Sequence, residues 1–320
     1  MQRLKELLSV LVTHGTCLIP GRSFCTFTGM DLPSRTFKAT SAFAFEKVVF
    51  TLLYTAMWKF SVVQANRALT QGESPAESRK FYRRLLRNLT RHVAQIIFHF
   101  GDFKKLPKDT ADYPFHPSHD RNTYELAPGS APVLEKMREG GIFLTAHFGN
   151  YEAIGPWLCR LGIPLKASYI PLKPAWLNRF VKGRLRSVDG ESYAVNARTP
   201  REFLRLLDEH KLFCLLADQD SRIPSAQAGT FLGHEVHVNP LPDFLLKHRP
   251  GTPVYICWME ELHDKKILHA EEFPTAPGKK IMDTYNRWLE NRIAEKASLW
   301  YGWTHRRFLG SMPEAYSNLE

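Results

Sequence analysis

A chain of 320 residues with 44% hydrophobic content can bury one substantial core plus a small appendage, which excludes a disordered protein. Forty-three Lys and Arg against 32 Asp and Glu leave a net charge of +11, so an anionic partner is expected: nucleic acid, an anionic membrane surface or an acidic protein. No nucleic-acid-binding motif occurs and the cations sit on amphipathic helices, so the membrane reading leads.

In chain order, two apolar segments come first, Leu4 to Ile19 and Phe43 to Val63, joined by a Gly/Pro/Ser-containing link around Pro20 to Ser34. His14 and Gly15 interrupt the first, which has no persuasive small-residue cleavage site for a signal peptide. Val48 to Trp58 is bounded by Lys47 and Lys59 and falls short of the roughly 20 apolar residues that a spanning helix needs. Attachment without spanning is therefore expected. Gln71-Gly72-Glu73-Ser74-Pro75 reads as a break, dividing an N-terminal apolar and amphipathic membrane-associated region (residues 1–74) from an α/β domain (residues 75–320).

The clearest helix follows the break. Phe81, Tyr82, Leu85, Leu86, Leu89, Val93, Ile96, Ile97 and Phe100 recur at helical spacing. Arg79, Lys80, Arg83, Arg84, Arg87 and Arg91 occupy its other face with no acid between them, a pattern suited to anionic headgroups as well as to an ordinary solvated face. Beyond Pro107 a turn-rich stretch runs to about Ser130. Strands are then expected at Ile142 to Ala146, Leu165 to Ile170, Leu212 to Ala217 and Val254 to Trp258. Between and after them lie helices, one opened by the capping box Thr199-Pro200-Arg201-Glu202 and one marked by Ile281, Met282, Tyr285, Trp288, Leu289 and Ile293. This alternation predicts a largely parallel central sheet flanked by helices, with ligands at the C-terminal edge of the strands.

The five cysteines are odd in number, lack Cys-x-x-Cys spacing and read as small apolar core residues in a reducing compartment. No metal-ligand spacing is present, and no cofactor is expected.

Candidate chemistry centres on Gly140 to Glu152, where an apolar strand delivers His147 to a turn at Gly149 and Asn150. Asn150 is placed to cap a following helix whose first turn holds Glu152. An imidazole held by a carboxylate is the arrangement of a general base, because the carboxylate fixes the tautomer and stabilises the imidazolium. The bare spacing is common, about one such His–acid pair being expected by chance in this composition, so context must carry the reading. In the helical segment Trp176 to Arg186, Arg184 falls among the apolar positions while Arg179, Lys182 and Arg186 lie opposite. A buried guanidinium requires a structural carboxylate or a substrate anion. Asp218 and Asp220 follow the strand Leu212 to Ala217, at the same edge as His147. They are placed to orient Arg184 or bond a sugar hydroxyl, or to cap local backbone. The Trp300, Trp303, His305, Arg306, Arg307, Phe308 cluster reads chiefly as packing of the C-terminus onto the body.

The pieces Ala146-His147-Phe148-Gly149-Asn150-Tyr151-Glu152, Gly183-Arg184-Leu185-Arg186-Ser187, Leu216-Ala217-Asp218-Gln219-Asp220, Gly229-Thr230-Phe231-Leu232-Gly233 and Trp303-Thr304-His305-Arg306-Arg307-Phe308 occur in that order. Together they resemble the lysophospholipid acyltransferase superfamily, and within it the late lauroyl/myristoyl acyltransferases of lipid A biosynthesis. The resemblance implies transfer of a fatty acyl chain from acyl carrier protein to a hydroxyl of a lipid A precursor at the cytoplasmic face of the bacterial inner membrane. It also implies substrate contacts from Arg184 and Arg186. On this reading His147 and Glu152 are the catalytic pair, with Asn150, Asp218 and Asp220 near the substrate. The oxyanion would take donors from the Phe148-Gly149-Asn150 backbone or from Arg184. The chain departs from many of these enzymes in showing no N-terminal spanning anchor. Another membrane-lipid acceptor (a phosphatidylinositol mannoside, an ornithine lipid, a lysophospholipid) and a non-catalytic basic membrane-surface protein are the alternatives.

Overall fold

The computed structural model describes residues 35–118, 122–169, 175–180, 182–183, 186–196, 199–275, 278–317 and 319. The apolar segment Leu4 to Ile19, its link to Ser34, and Arg184 with Leu185 lie outside the described residues. From Arg35 onward the chain forms one compact unit.

Three helices come first: α1 (Arg35–Thr55), α2 (Phe60–Gln71) and α3 (Pro75–Phe98). The break before α3 is a helix start. Ser74 and Glu77 form a reciprocal capping box with Pro75 at the first helical position, which satisfies amides that would otherwise lack partners. Phe81, Tyr82, Leu85 and Leu86 are buried beneath α3, with Tyr82 packed against Tyr54 of α1 and Phe60 of α2. The opposite face of α3 keeps Arg79, Lys80, Arg83, Arg84, Arg87 and Arg91 exposed, with no ion pair to any described residue.

Among the described residues no single helix is long and apolar enough to cross a membrane, although α1 and α2, bent by 75°, reach that length together. Their packing differs. Val62, Val63 and Asn66 of α2 are buried, and Asn66 Nδ2 donates to the carbonyls of Trp303 (2.8 Å) and His305 (2.9 Å). Residues 35–74 thus share the unit of the α/β body. The outer face of α1 leaves Phe43, Val48 and Leu52 exposed.

The body follows as α4 (Phe100–Phe103), β1 (Thr123–Leu126), α5 (Ser130–Met137), β2 (Gly141–Thr145), a 3₁₀ turn (Tyr151–Ala153), α6 (Ile154–Arg160), β3 (Leu165–Ser168) and α7 (Ala175–Phe180). Next come β4 (Ser187–Val188), β5 (Glu191–Ser192), β6 (Ala194–Val195), α8 (Pro200–Asp208), β7 (Leu212–Leu216), β8 (Gln227–Phe231) and β9 (His234–Val238). The chain ends with α9 (Leu241–His248), β10 (Val254–Glu261), β11 (Lys265–Glu272) and α10 (Ile281–Lys296), then 3₁₀ turns to Tyr316. The central sheet has the order β1-β11-β10-β2-β7-β3-β6 and is parallel except where β11 pairs with β10. The fold is therefore α/β with a mostly parallel sheet, and the four expected strands are β2, β3, β7 and β10.

Central β2 is buried at all five positions, as a strand covered on both faces must be. Its first residue is tightly constrained: Gly141 has φ +132°, and a Cβ there would lie 2.6 Å from the Pro253 carbonyl oxygen. Cys214 and Cys257 are core residues. Burial holds both thiols well above the ordinary range and pushes Cys159 up to about 12, so these three remain protonated and inert.

Candidate active site

Strand register builds the site. β2 and β7 are parallel with Thr145 opposite Leu216, and Ala217 N–H extends the ladder to the Thr145 carbonyl. Two residues beyond each strand end, the same register sets His147 beside Asp218. Asp218 Oδ1 accepts from His147 Nδ1 at 2.8 Å, and Oδ2 accepts from the His147 backbone amide (3.1 Å) and from Trp300 Nε1 (2.8 Å). With its side chain fully covered, burial alone would raise the carboxyl pKa, but the His147 charge and these three bonds outweigh it and hold it down at about 2. His147 is the mirror case. Burial favours neutral imidazole, yet Asp218 outweighs it, Glu152 adds to the effect, Arg186 opposes it, and the pKa stays above the ordinary histidine value. An ionised acceptor on Nδ1 fixes the proton there, so Nε2 carries the lone pair, as a general base requires.

The surrounding turn is stitched to the C-terminal segment. Tyr301 N–H donates to the His147 carbonyl (2.8 Å) and Gly149 N–H to the Leu299 carbonyl (2.9 Å). The Tyr151 ring lies edge-on to His147 at 5.0 Å, and His305 lies 6.2 Å away, centroid to centroid. Behind Tyr151, His92 of α3 sits between it and Tyr301 at 5.2 and 5.4 Å. Burial pushes the His92 pKa down to about 4 against the pull of Glu152 and Glu261, so this ring stays neutral.

Several expectations change. The carboxylate bonded to His147 is Asp218, whereas Glu152 accepts from Arg186 Nη2 at 2.9 Å. The reason is geometric: parallel register carries Asp218 to the imidazole, while Glu152 is five residues downstream on a turn that faces Arg186. Arg186 also lies over the Tyr169 ring at 5.4 Å, and Glu152 raises its pKa against the opposing effect of burial. Two of the expected oxyanion donors are engaged, since Phe148 N–H reaches the Ala146 carbonyl (2.7 Å) and Gly149 N–H that of Leu299. Asn150 stands at the start of the 3₁₀ turn without a side-chain cap. Its amide nitrogen points inward, 3.0 Å from Gln95 Oε1 and 3.0 Å from Glu261 Oε1. The Asp220 side chain is covered, 3.9 Å from Arg307 Nη1. Arg184 falls outside the described residues.

In the sequence Trp300 reads only as part of an aromatic cluster. It belongs to the site because its indole N–H holds Asp218. Its neighbour Gly302 is obligatory for close approach: a Cβ there would lie 2.1 Å from the indole ring. Gly302→Ala is expected to displace the indole at an overpacking cost of about 1–3 kcal/mol. Loss of the Trp300 bond should raise the Asp218 pKa. Thermal unfolding measures the first effect and titration of the His147–Asp218 pair the second.

The geometry is that of a histidine base oriented by a buried carboxylate at the C-terminal edge of a parallel sheet. The family model for bacterial lipid A biosynthesis acyltransferases matches residues 44–310, most of the chain, and the protein belongs to that family. No curated protein matches the chain.

Proposed function

We propose, from membership of this acyltransferase family together with the His147–Asp218 pair, that the protein is an O-acyltransferase. It moves a fatty acyl chain from an acyl thioester to a hydroxyl of a lipid A precursor. The single observation that carries the mechanism is the 2.8 Å bond between His147 Nδ1 and Asp218. Nε2 takes the acceptor hydroxyl proton as the alkoxide attacks the thioester carbonyl. The tetrahedral adduct collapses to the ester and expels the thiolate, which recovers the proton from the imidazolium. Asp218 keeps its charge throughout and stabilises that imidazolium.

The Arg186–Glu152 pair is assigned to the acceptor's anionic group or to the developing oxyanion, since a guanidinium anchored by one carboxylate retains donors for a second anion. The donor is acyl carrier protein, and an acidic carrier suits the basic surface. Comparing the membrane lipids of cells with and without the gene by mass spectrometry tests the reading. Loss of one ester-linked acyl chain from lipid A supports it, and loss from another lipid alone reassigns the acceptor.

Attachment is proposed to be peripheral, at the cytoplasmic face of the inner membrane, through the exposed cations of α3 against anionic headgroups. Replacing Arg83, Arg84, Arg87 and Arg91 by Glu is expected to weaken binding to phosphatidylglycerol vesicles, with a larger loss at low salt than at high salt. Cosedimentation measures it. Unchanged binding would restrict α3 to its packing role.

A further inference from the structure

We infer that Glu261 is a positioning residue for the reaction, acting through Asn150 to fix the turn that follows His147. Glu261 ends β10, the strand beside β2, and its carboxylate gathers three donors. Oε1 accepts from Asn150 Nδ2 and Lys266 Nζ, each at 3.0 Å, and Oε2 accepts from Gln95 Nε2 at 3.0 Å. Asn150 Nδ2 also donates to Gln95 Oε1, so both of its hydrogens are engaged. Asn150 is buried, as is Lys266, whose ammonium faces the Phe103 ring at 5.3 Å. The clamp thus joins α3, the His147 turn and the β10–β11 hairpin.

The position of the clamp gives it a catalytic consequence. Asn150 immediately precedes the 3₁₀ turn that carries Tyr151 against the His147 ring and Glu152 against Arg186. That short turn has few backbone bonds of its own. One is Ala153 N–H to the Asn150 carbonyl at 3.2 Å. The Asn150 side chain therefore locks the turn, and Glu261 locks Asn150. A charged acceptor suits the task because bonds to a carboxylate are stronger than bonds between neutral groups. Burial would raise the Glu261 pKa, but Lys266 first, and then the amide donors, outweigh it and keep the carboxyl below its ordinary range. The Glu261 carboxyl is therefore ionised at neutral pH.

This inference rests on the proposed acyl transfer, so its test pairs turnover with a readout independent of turnover. The variants are Glu261→Ala, Asn150→Asp and the double variant Asn150→Asp with Glu261→Gln, made in the full chain in detergent. Glu261→Ala is expected to lower kcat by about ten- to hundredfold with KM for acceptor changed less than about threefold, the range for misplaced positioning groups. Hydrogen exchange should accelerate at residues 149–153 and not across the sheet. Asn150→Asp alone sets two carboxylates against each other. The double variant restores one donor amide facing one carboxylate and should recover at least half of the lost log kcat.

Full kcat in Glu261→Ala would overturn the inference. So would a double variant no better than Asn150→Asp, or faster exchange spread over the whole sheet, which marks a merely structural role. If the wild type transfers no acyl chain, the proposed function falls, and the exchange pattern still decides whether the clamp holds the turn.

Discussion

His147→Ala is expected to reduce acyl transfer by at least about a thousandfold while leaving the fold intact, the scale on which removal of a histidine base acts in acyl-transfer enzymes. The loss is chemical because among the described residues no other histidine near the site is placed to replace the imidazole. His305, 6.2 Å away by ring centroids, has no carboxylate bonded to it among the described residues, and His92 is enclosed between two tyrosines. The fold survives because the Asp218 carboxylate keeps the Trp300 indole and the backbone amide at position 147 as donors. Circular dichroism and thermal unfolding establish the intact fold, and initial rates of ester formation establish the loss.

Asp218→Asn is expected to cost about 10²–10⁴-fold in kcat, by the logic that an amide in place of the orienting carboxylate favours the wrong tautomer. The pH dependence makes this specific. With Asp218 ionised the His147 pKa lies above its ordinary value, so the rate of the wild type falls as pH drops through that raised pKa. Removing the carboxylate leaves burial, which favours neutral imidazole, opposed by Glu152 alone and assisted by Arg186. The acid limb of kcat/KM should therefore move to lower pH in Asp218→Asn. In Glu152→Gln it should move in the same direction by less, because Glu152 acts on His147 by charge without a direct bond. A larger displacement in Glu152→Gln than in Asp218→Asn would return the orienting role to Glu152.

Much of this architecture is legible in the sequence. The apolar runs ending at Ala146 and Ala217 identify β2 and β7, and the parallel sheet implied by alternating helices sets His147 and Asp218 at one edge. What periodicity does not contain is the register between the strands, and register decides which acid meets the imidazole. In the parallel β2–β7 pair each of the two residues stands two positions past its strand end, which is what brings them together. The Glu152–Arg186 bond and the Glu261 clamp are harder cases: they join residues 34 and 111 positions apart through turns, where no spacing rule operates. Trp300 is hard to read for a related reason, because a tryptophan in an aromatic cluster has the sequence signature of packing whether or not its N–H holds a carboxylate. β11 alternates buried and half-buried residues and carries several polar side chains, and β1 has four residues, so both carry weak strand signals.

Acyl transfer by His147 is measured by following one acyl group. Purified wild-type protein in detergent is given a radiolabelled acyl thioester of acyl carrier protein and a lipid A precursor with a free hydroxyl, beside His147→Ala as control. Label is expected to appear in the lipid as an ester, with free thiol released in equal amount, for the wild type and not for His147→Ala. Equal ester formation by the two proteins would contradict it, as would a wild type that releases the label only as free fatty acid.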